Sequence, residues 1–227
     1  MKLAPSILPA SQADAAELFA LFAQVYDAVD ESRFRDDLAA KDDVICFRDE
    51  TGQLRGFSTQ VIHRCGEVRL LFSGDTVIDP ACWGSQALAR AWCAYAGRRQ
   101  REEASPLFWL LLSKGWRTYL YLPLFFRNYL PHPSQTAPAE WLTLRDAACR
   151  QLFGAAWLPE LGILRFPESL GQLKPDFARP RRSSPEINFF LQLNPGYAEG
   201  DELVGLAPIA PGNMLPRAAA WMTEDLP

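Results

Sequence analysis

The 227-residue sequence predicts an α+β fold: a mixed, mostly antiparallel central sheet flanked by helices, with a C-terminal extension. Three observations carry that reading. Two segments with apolar residues three and four apart open the chain. Three segments of period two, separated by glycine-bearing turns, come after them. A further helical segment then leads to an isolated apolar run too short for a core helix. With 48% apolar and 22% charged residues the chain can bury a core of its own, and disorder and collagen-like structure are excluded.

Residues 11–29 bring Leu18, Phe19, Phe22, Val25, Tyr26 and Val29 to one helical face, with Ser11 and Asp14 at its start. Residues 32–40 pair Phe34 with Leu38 among charged neighbours, as a second short helix does. From Val44 the period falls to two. VICFRD, LRGFSTQVIHR and VRLLFSGDTVID read as an antiparallel meander, reversed around Gly52 and Gly66. Pro80 ends the third strand. Residues 83–101 then read as a helix, with Leu88, Ala91, Trp92 and Tyr95 on one side and Arg90, Arg98, Arg99 and Arg101 on another.

The run Leu107–Leu112, bounded by Ser105-Pro106 and Ser113-Lys114-Gly115, reads as a central strand covered on both faces. Pro123 makes any helix in the aromatic segment 116–129 short or kinked, and Pro131, Pro133 and Pro138 make 130–138 a loop. Residues 141–153 read as a helix, while 156–166 leave helix and strand both open. Residues 167–185 read as an exposed Pro/Arg-rich excursion, 186–193 and 201–208 as two late strands, and 209–227 as a polar, weakly structured tail. One domain, 1–208, with its core in 11–129, is the expected organisation.

A formal charge of −4 lacks the basic excess that binding a phosphate backbone requires, so nucleic acid is excluded as a partner. Neither a charged leader with an apolar stretch nor a run of about 20 apolar residues is seen, so the expected location is cytoplasmic and unanchored, with no membrane partner. Five cysteines form no Cys-x-x-Cys pair and His63 and His132 have no ligand spacing, so no metal is expected. The thiols read as small core residues of a reducing compartment.

The segment FSGDTVIDPACWGSQAL, residues 72–88, runs from a strand through Asp79-Pro80 and a Gly84 turn into a helix whose first amides attract phosphate. With the order of elements around it, the chain from about Ser11 to Tyr129, and more loosely from Glu186 to Pro208, resembles the GNAT (GCN5-related N-acetyltransferase) superfamily. The segment is similar to that family's fourth strand and pyrophosphate loop. Trp83 stands where the family has a basic or amide residue, and Gln86 and Leu88 stand where it has small ones.

The resemblance implies an acyl-CoA-dependent N-acyltransferase, with acetyl-CoA as default donor, another acyl-CoA or an acyl carrier protein as alternatives, and a small-molecule or peptide amine as acceptor. A homodimer stays open. It implies backbone contacts to the donor from Val77, Ile78 and Asp79, facing Leu111 to Ser113, and diphosphate contacts around Trp83, Gly84, Ser85, Gln86 and Ala87. It further implies a Tyr as acid for the departing thiolate: Tyr121 first, then Tyr119, then Tyr129. Their alternative is an aromatic core patch with Trp116, Phe125 and Phe126.

Asp75 is the leading base, because a carboxylate after Phe72-Ser73-Gly74 in an apolar strand is desolvated and its pKa rises. Its alternative is a bulge residue beside Gly74. Glu67 and His63 are lesser bases. The arginines of 90–101 and the cluster Lys114–Thr118 could meet the donor's phosphates or be a solvated face. Two other readings compete: a GNAT-like binding protein without transfer, and a transferase using Cys82 near a helix N-terminus.

Overall fold

The computed structural model describes residues 2–167, 171–180 and 182–225. It begins with a strand that the sequence pattern conceals: Ala4–Pro9 (β1) pairs with Asp43–Arg48 (β3). Pro5 and Pro9 read against a strand, but β1 is an outer strand of the sheet, where a missing N–H on the open side is tolerated. Between them come Ala15–Val25 (α1), the short Tyr26–Asp27 (β2) and Glu31–Ala39 (α2). Asp14 starts α1 by accepting from Ala16 and Glu17 N–H, and Asp30 starts α2 by accepting from Arg33 N–H.

Leu54–Cys65 (β4) and Val68–Ile78 (β5) complete the antiparallel meander. Ala87–Glu102 (α3) then crosses over to Leu107–Ser113 (β6), which runs parallel to β5, as a strand–helix–strand crossover dictates. Glu202–Pro208 (β10) enters on the far side of β6, antiparallel to it. The remaining strands are short: Trp157–Leu158 (β7), Ile163–Leu164 (β8) and Gln172–Leu173 (β9). The large sheet has the order β1-β3-β4-β5-β6-β10-β8-β7, and β2 pairs with β9 outside it. Apart from the one parallel pair it is antiparallel. This is the mixed, mostly antiparallel sheet expected from the sequence, and β1 supplies the strand that makes β5 the fourth of the meander.

The aromatic segment forms two short helices, Trp116–Tyr119 (α4) and Tyr121–Phe125 (α5), separated at Leu120. Ala139–Phe153 (α6) is the helix expected there. Three expectations are overturned. The helix read over 11–29 ends at Val25, and Tyr26 and Asp27 leave it to pair with β9. Residues 186–193 are not a strand but the helix Pro185–Leu193 (α8). Ser184 caps it by accepting from Ile187 N–H, Pro185 occupies its first turn, and Ile187 and Phe190 bury one face. The tail is not weakly structured either: Pro216–Trp221 (α9) packs on α3, and Met214, Ala218 and Met222 are core residues. The Pro/Arg-rich excursion carries β9 and the single turn Pro175–Ala178 (α7), although residues 168–170 and 181 lie outside the described ones.

Alternation across the sheet sorts the core. Ile45, Phe47, Leu71, Trp109 and Leu111 face α3, α5, α8 and α9. On the opposite face Val44, Cys46 and Phe57 pack under α1 and α2. Leu70, Leu110, Val204 and Leu206 pack under α6. These last two clusters share one face and are separate. The gap between them lies over the middle of the sheet.

Candidate functional site

Two irregularities at the sheet centre open the site. Ser58 faces Thr76 and Gln60 faces Ser73, so Gly74 and Asp75 together stand opposite Thr59 alone: a bulge in β5. β5 and β6 stay paired only as far as Ser73 and Leu111, and the rest of β5 leaves its parallel neighbour. A Cβ at Gly74 would stand 2.6 Å from Thr59 Oγ1 and 2.8 Å from Lys41 Cε, so a side chain there would displace both. The parting begins at Gly74, earlier than the Val77–Asp79 stretch the resemblance singles out. Thr76 to Ile78 still hold β4 by one edge and turn the other toward the opening.

Cavities lie on both sides of the parting. A groove of about 390 Å³ fills the gap between α1–α2 and α6, walled by Phe22, Phe34 and Phe153 and floored by Phe72 to Thr76. On the α3 side a cleft of about 250 Å³ lies between Trp83–Ser85 and Trp116–Tyr121. A throat of about 30 Å³ shares Thr76, Leu112 and Thr118 with the groove and Leu88 and Tyr121 with the cleft.

Asp75 lies in the groove, and burial pushes its carboxyl up to about 6, with Asp37 adding repulsion and Lys114 and Lys41 opposing it. The bulge and the desolvated carboxylate are therefore one feature, not alternatives. Two ion pairs flank it: Lys41 Nζ to Asp37 at 2.6 Å, and Lys114 Nζ to Glu202 at 3.4 Å. Both lysine side chains are nearly withdrawn from solvent, at 5% and 14% exposure, so their charges act through little water. Glu67 is exposed at the β4–β5 turn. His63 stacks near Phe72 outside the groove's lining, and burial lowers its pKa.

Tyr121 borders both the throat and the cleft, and burial raises its hydroxyl to about 12. Tyr119 is elsewhere: it is fully buried and donates to the Pro131 carbonyl at 3.1 Å. Tyr129 is buried beside His132.

The loop after β5 is largely engaged with itself. Asp79 accepts from Ala81 N–H and pairs with Arg55 at 3.0 Å. Cys82, Trp83 and Ser85 donate their amides to Asp79, Pro80 and Cys82 carbonyls, and Ala87 donates to Ser85 Oγ. Gln86 accepts from Arg217 of α9, so its side chain is held by the protein. Trp83 donates its indole N–H to the Ile78 carbonyl at 3.0 Å, and its ring lies 4.1 Å from the Arg117 guanidinium, which stacks on Trp116 at 4.4 Å as well. The first turn of α3 receives no side-chain cap from Gln86, and Leu88 of that turn lines the cleft. Gly84, with φ of 90°, has open space where a side chain would be.

Cys82 is buried and desolvation raises its thiol, the reverse of an activated nucleophile, so that reading is corrected. Arg90 pairs with Glu224, Arg99 pairs with Glu102 and Arg101 donates to the Met222 carbonyl, so these three serve the helix and the tail.

The pattern did not reveal several residues of the site. Lys41 and Glu202 are far apart in sequence from Asp75, and nothing local joins them to it. Trp116 is 5% exposed, yet its indole N–H meets no acceptor and the ring borders the cleft. Ser58 and Gln60 left a signal: two polar residues at the same-face spacing inside a buried strand ask for partners. Among the described residues no group of three or more His, Cys, Asp or Glu could hold a metal, and no helix is long and apolar enough to cross a membrane.

No protein-family model matches the sequence, and no curated protein matches it. Solved structures do. An IAA acetyltransferase from Bacillus cereus is similar at 7% identity and a TM-score of 0.40, over 56% of this chain and 80% of that one. An acetyltransferase from Trypanosoma brucei is similar at 18% identity and 0.40, over 60% and 99%. A GNAT family N-acetyltransferase from Escherichia coli, solved with CoA, is similar at 16% identity and 0.35, over 48% and 63%.

Proposed function

We propose that this GNAT-fold chain transfers an acyl group from an acyl-CoA, acetyl-CoA by default, to an amine that enters from the opposite side of the sheet. The observation that carries the reading is the parting of β5 from β6 after Ser73 and Leu111, with a cavity on each side and a throat between. A bound acyl-CoA supplies the thioester whose acyl carbon the amine attacks. The chain supplies the rest.

On the acceptor side Asp75 is the base. With its pKa near 6 it is ionised at neutral pH and still basic enough to accept an ammonium proton. The charged lining, Asp30, Asp37, Asp75 and Glu202 against Arg33, Lys41 and Lys114, carries one more negative than positive charge once Asp75 ionises, which suits one cationic amine. The phenyl walls suit an apolar body on that amine.

On the donor side Tyr121 keeps its proton at neutral pH and can deliver it to the departing thiolate. Tyr119, its hydroxyl already given to Pro131, is the weaker choice. The unpaired Trp116 indole N–H and the first-turn amides of α3 are donors for the CoA arm and its phosphates, with Ser85 and Arg182 at the same cleft.

A second reading keeps the architecture and drops the transfer. Amides of Ala81, Cys82, Trp83, Ser85 and Ala87 are spent within the loop, and the Trp83 indole holds the Ile78 carbonyl at the strand's end. That favours a binding protein. Amine-dependent release of CoA thiol from acetyl-CoA separates the two. Transfer predicts release across a panel of small aromatic and aliphatic amines, and Tyr121→Phe lowering kcat by about 10²-fold with little change in KM. No thiol release with any amine, despite CoA binding, establishes the second reading.

A further inference from the structure

We infer that the Thr76 hydroxyl is the hydrogen-bond donor presented to the acyl carbonyl in the throat, aimed by a buried chain that starts at the indoles of Trp92 and Trp109. The inference rests on the acyl-transfer reading and adds to it a side-chain donor for the developing oxyanion.

The proton directions are set by the groups that can only donate. An indole N–H has no acceptor role. Trp92 and Trp109 both donate to Ser73 Oγ, at 3.1 and 2.9 Å, and together fill its two lone pairs. The Ser73 proton therefore goes to Gln60 Oε1, at 2.8 Å. This fixes the Gln60 amide, whose Nε2 donates to Ser58 Oγ at 2.8 Å. Ser58 and Thr76 oxygens are 2.6 Å apart. Were Thr76 the donor there, the proton of Ser58, a residue 1% exposed, would have no other internal acceptor among the described residues. Ser58 therefore donates to Thr76.

The Thr76 proton is left at the open end. Its internal acceptor is the Gly74 carbonyl at 3.3 Å, well beyond the usual hydroxyl–oxygen distance of about 2.7–2.8 Å. A better-placed acceptor in the throat takes it. The bulge makes this placement: in a regular strand Ser73 and Asp75 would share a face, but the extra residue puts Thr76 on the Ser73 side, opposite Ser58. Asp75 is thereby sent to the groove, so base and carbonyl donor lie on the two sides of one opening. Burying so many polar groups contributes little net stability, since apolar residues of the same shape would serve as well. What the chain does is fix one hydroxyl rotor. A donor oriented before the reaction needs no reorganisation when negative charge develops on the carbonyl oxygen.

The test uses the full chain and the ketone analogue of acetyl-CoA in which a CH2 replaces the thioester sulfur, labelled with 13C at its ketone, an isostere of acetyl-CoA that cannot transfer its acyl group. The bound ketone is expected downfield in wild type and Thr76→Ser relative to Thr76→Val at equal occupancy. Thr76→Val is expected to lower kcat by roughly 10²-fold with the Kd for acetyl-CoA unchanged. Gln60→Met, acting only through orientation, should broaden or shift the ketone signal, and adding it to Thr76→Val should cause no further loss. A wild-type ketone shift and wild-type kcat in a folded Thr76→Val overturn the role while leaving acyl transfer standing. If wild type holds neither the ketone nor acetyl-CoA at millimolar concentration, the acyl-transfer reading falls, and the role of Thr76 falls with it.

Discussion

Asp75 shows how one inserted residue sets chemistry. The bulge turns its carboxylate into the groove, where burial raises the pKa to about 6. Since the folded value lies above the unfolded one, Asp75 favours folding while protonated, and that contribution is lost as pH climbs from about 4 through about 6. Asp75→Asn should therefore be more stable than wild type at pH 8, by at most about 3 kcal/mol, and near parity at pH 4, in urea melts at both values. The same carboxylate predicts an ascending limb in kcat/KM with a midpoint near pH 6, absent from the residual activity of Asp75→Asn. The desolvated carboxylate was legible from Phe72-Ser73-Gly74-Asp75 because flanking apolarity is a local property. Its neighbours Lys41 and Glu202 were not, and Lys114 was singled out for the donor's phosphates and not for this carboxylate, since all three reach it from other parts of the chain.

At the level of elements, α3 is held as much by the C-terminal helix α9 as by its own apolar pattern. Gly97 lies against the end of that helix, and an added Cβ would stand 2.1 Å from the Met222 carbonyl oxygen. In an isolated helix Gly97→Ala would gain about 0.5–1 kcal/mol. Here it meets backbone, which yields poorly, and the expected outcome is a net loss of about 1–3 kcal/mol in denaturant unfolding, with α9 displaced. The elements that the sequence pattern hides have physical causes in common. The prolines of Ala4–Pro9 mask a strand whose place in the sheet forgives them. Residues 186–193 are dense in apolar side chains, and that density outweighs the helix-start signals of Ser184 and Pro185. The tail after Pro208 looks polar because its buried contacts are few and spaced: Met214, Ala218 and Met222.

For the molecule as a whole, a donor that binds only the folded state must stabilise it. With acetyl-CoA at a hundred times its Kd the gain is about 2.7 kcal/mol, a rise in Tm of about 5–10 °C for a chain of this size, readable by calorimetry or dye-based melting. No rise in Tm with either CoA or acetyl-CoA would count against a donor site at the cleft. By itself the sequence determined the helices and strands of the first 113 residues other than β1 and β2, the strand–turn–helix that borders the cleft and the desolvated Asp75, because each depends on periodicity, turn chemistry or flanking polarity within a short stretch. Only the tertiary structure decided where β5 leaves β6, that the two helical clusters on one face stand apart to form the groove, and that the loop amides and Gln86 are already engaged. Those outcomes depend on partners distant along the chain, as Arg217 is from Gln86 and Trp109 from Ser73, and no local pattern encodes which distant groups will meet.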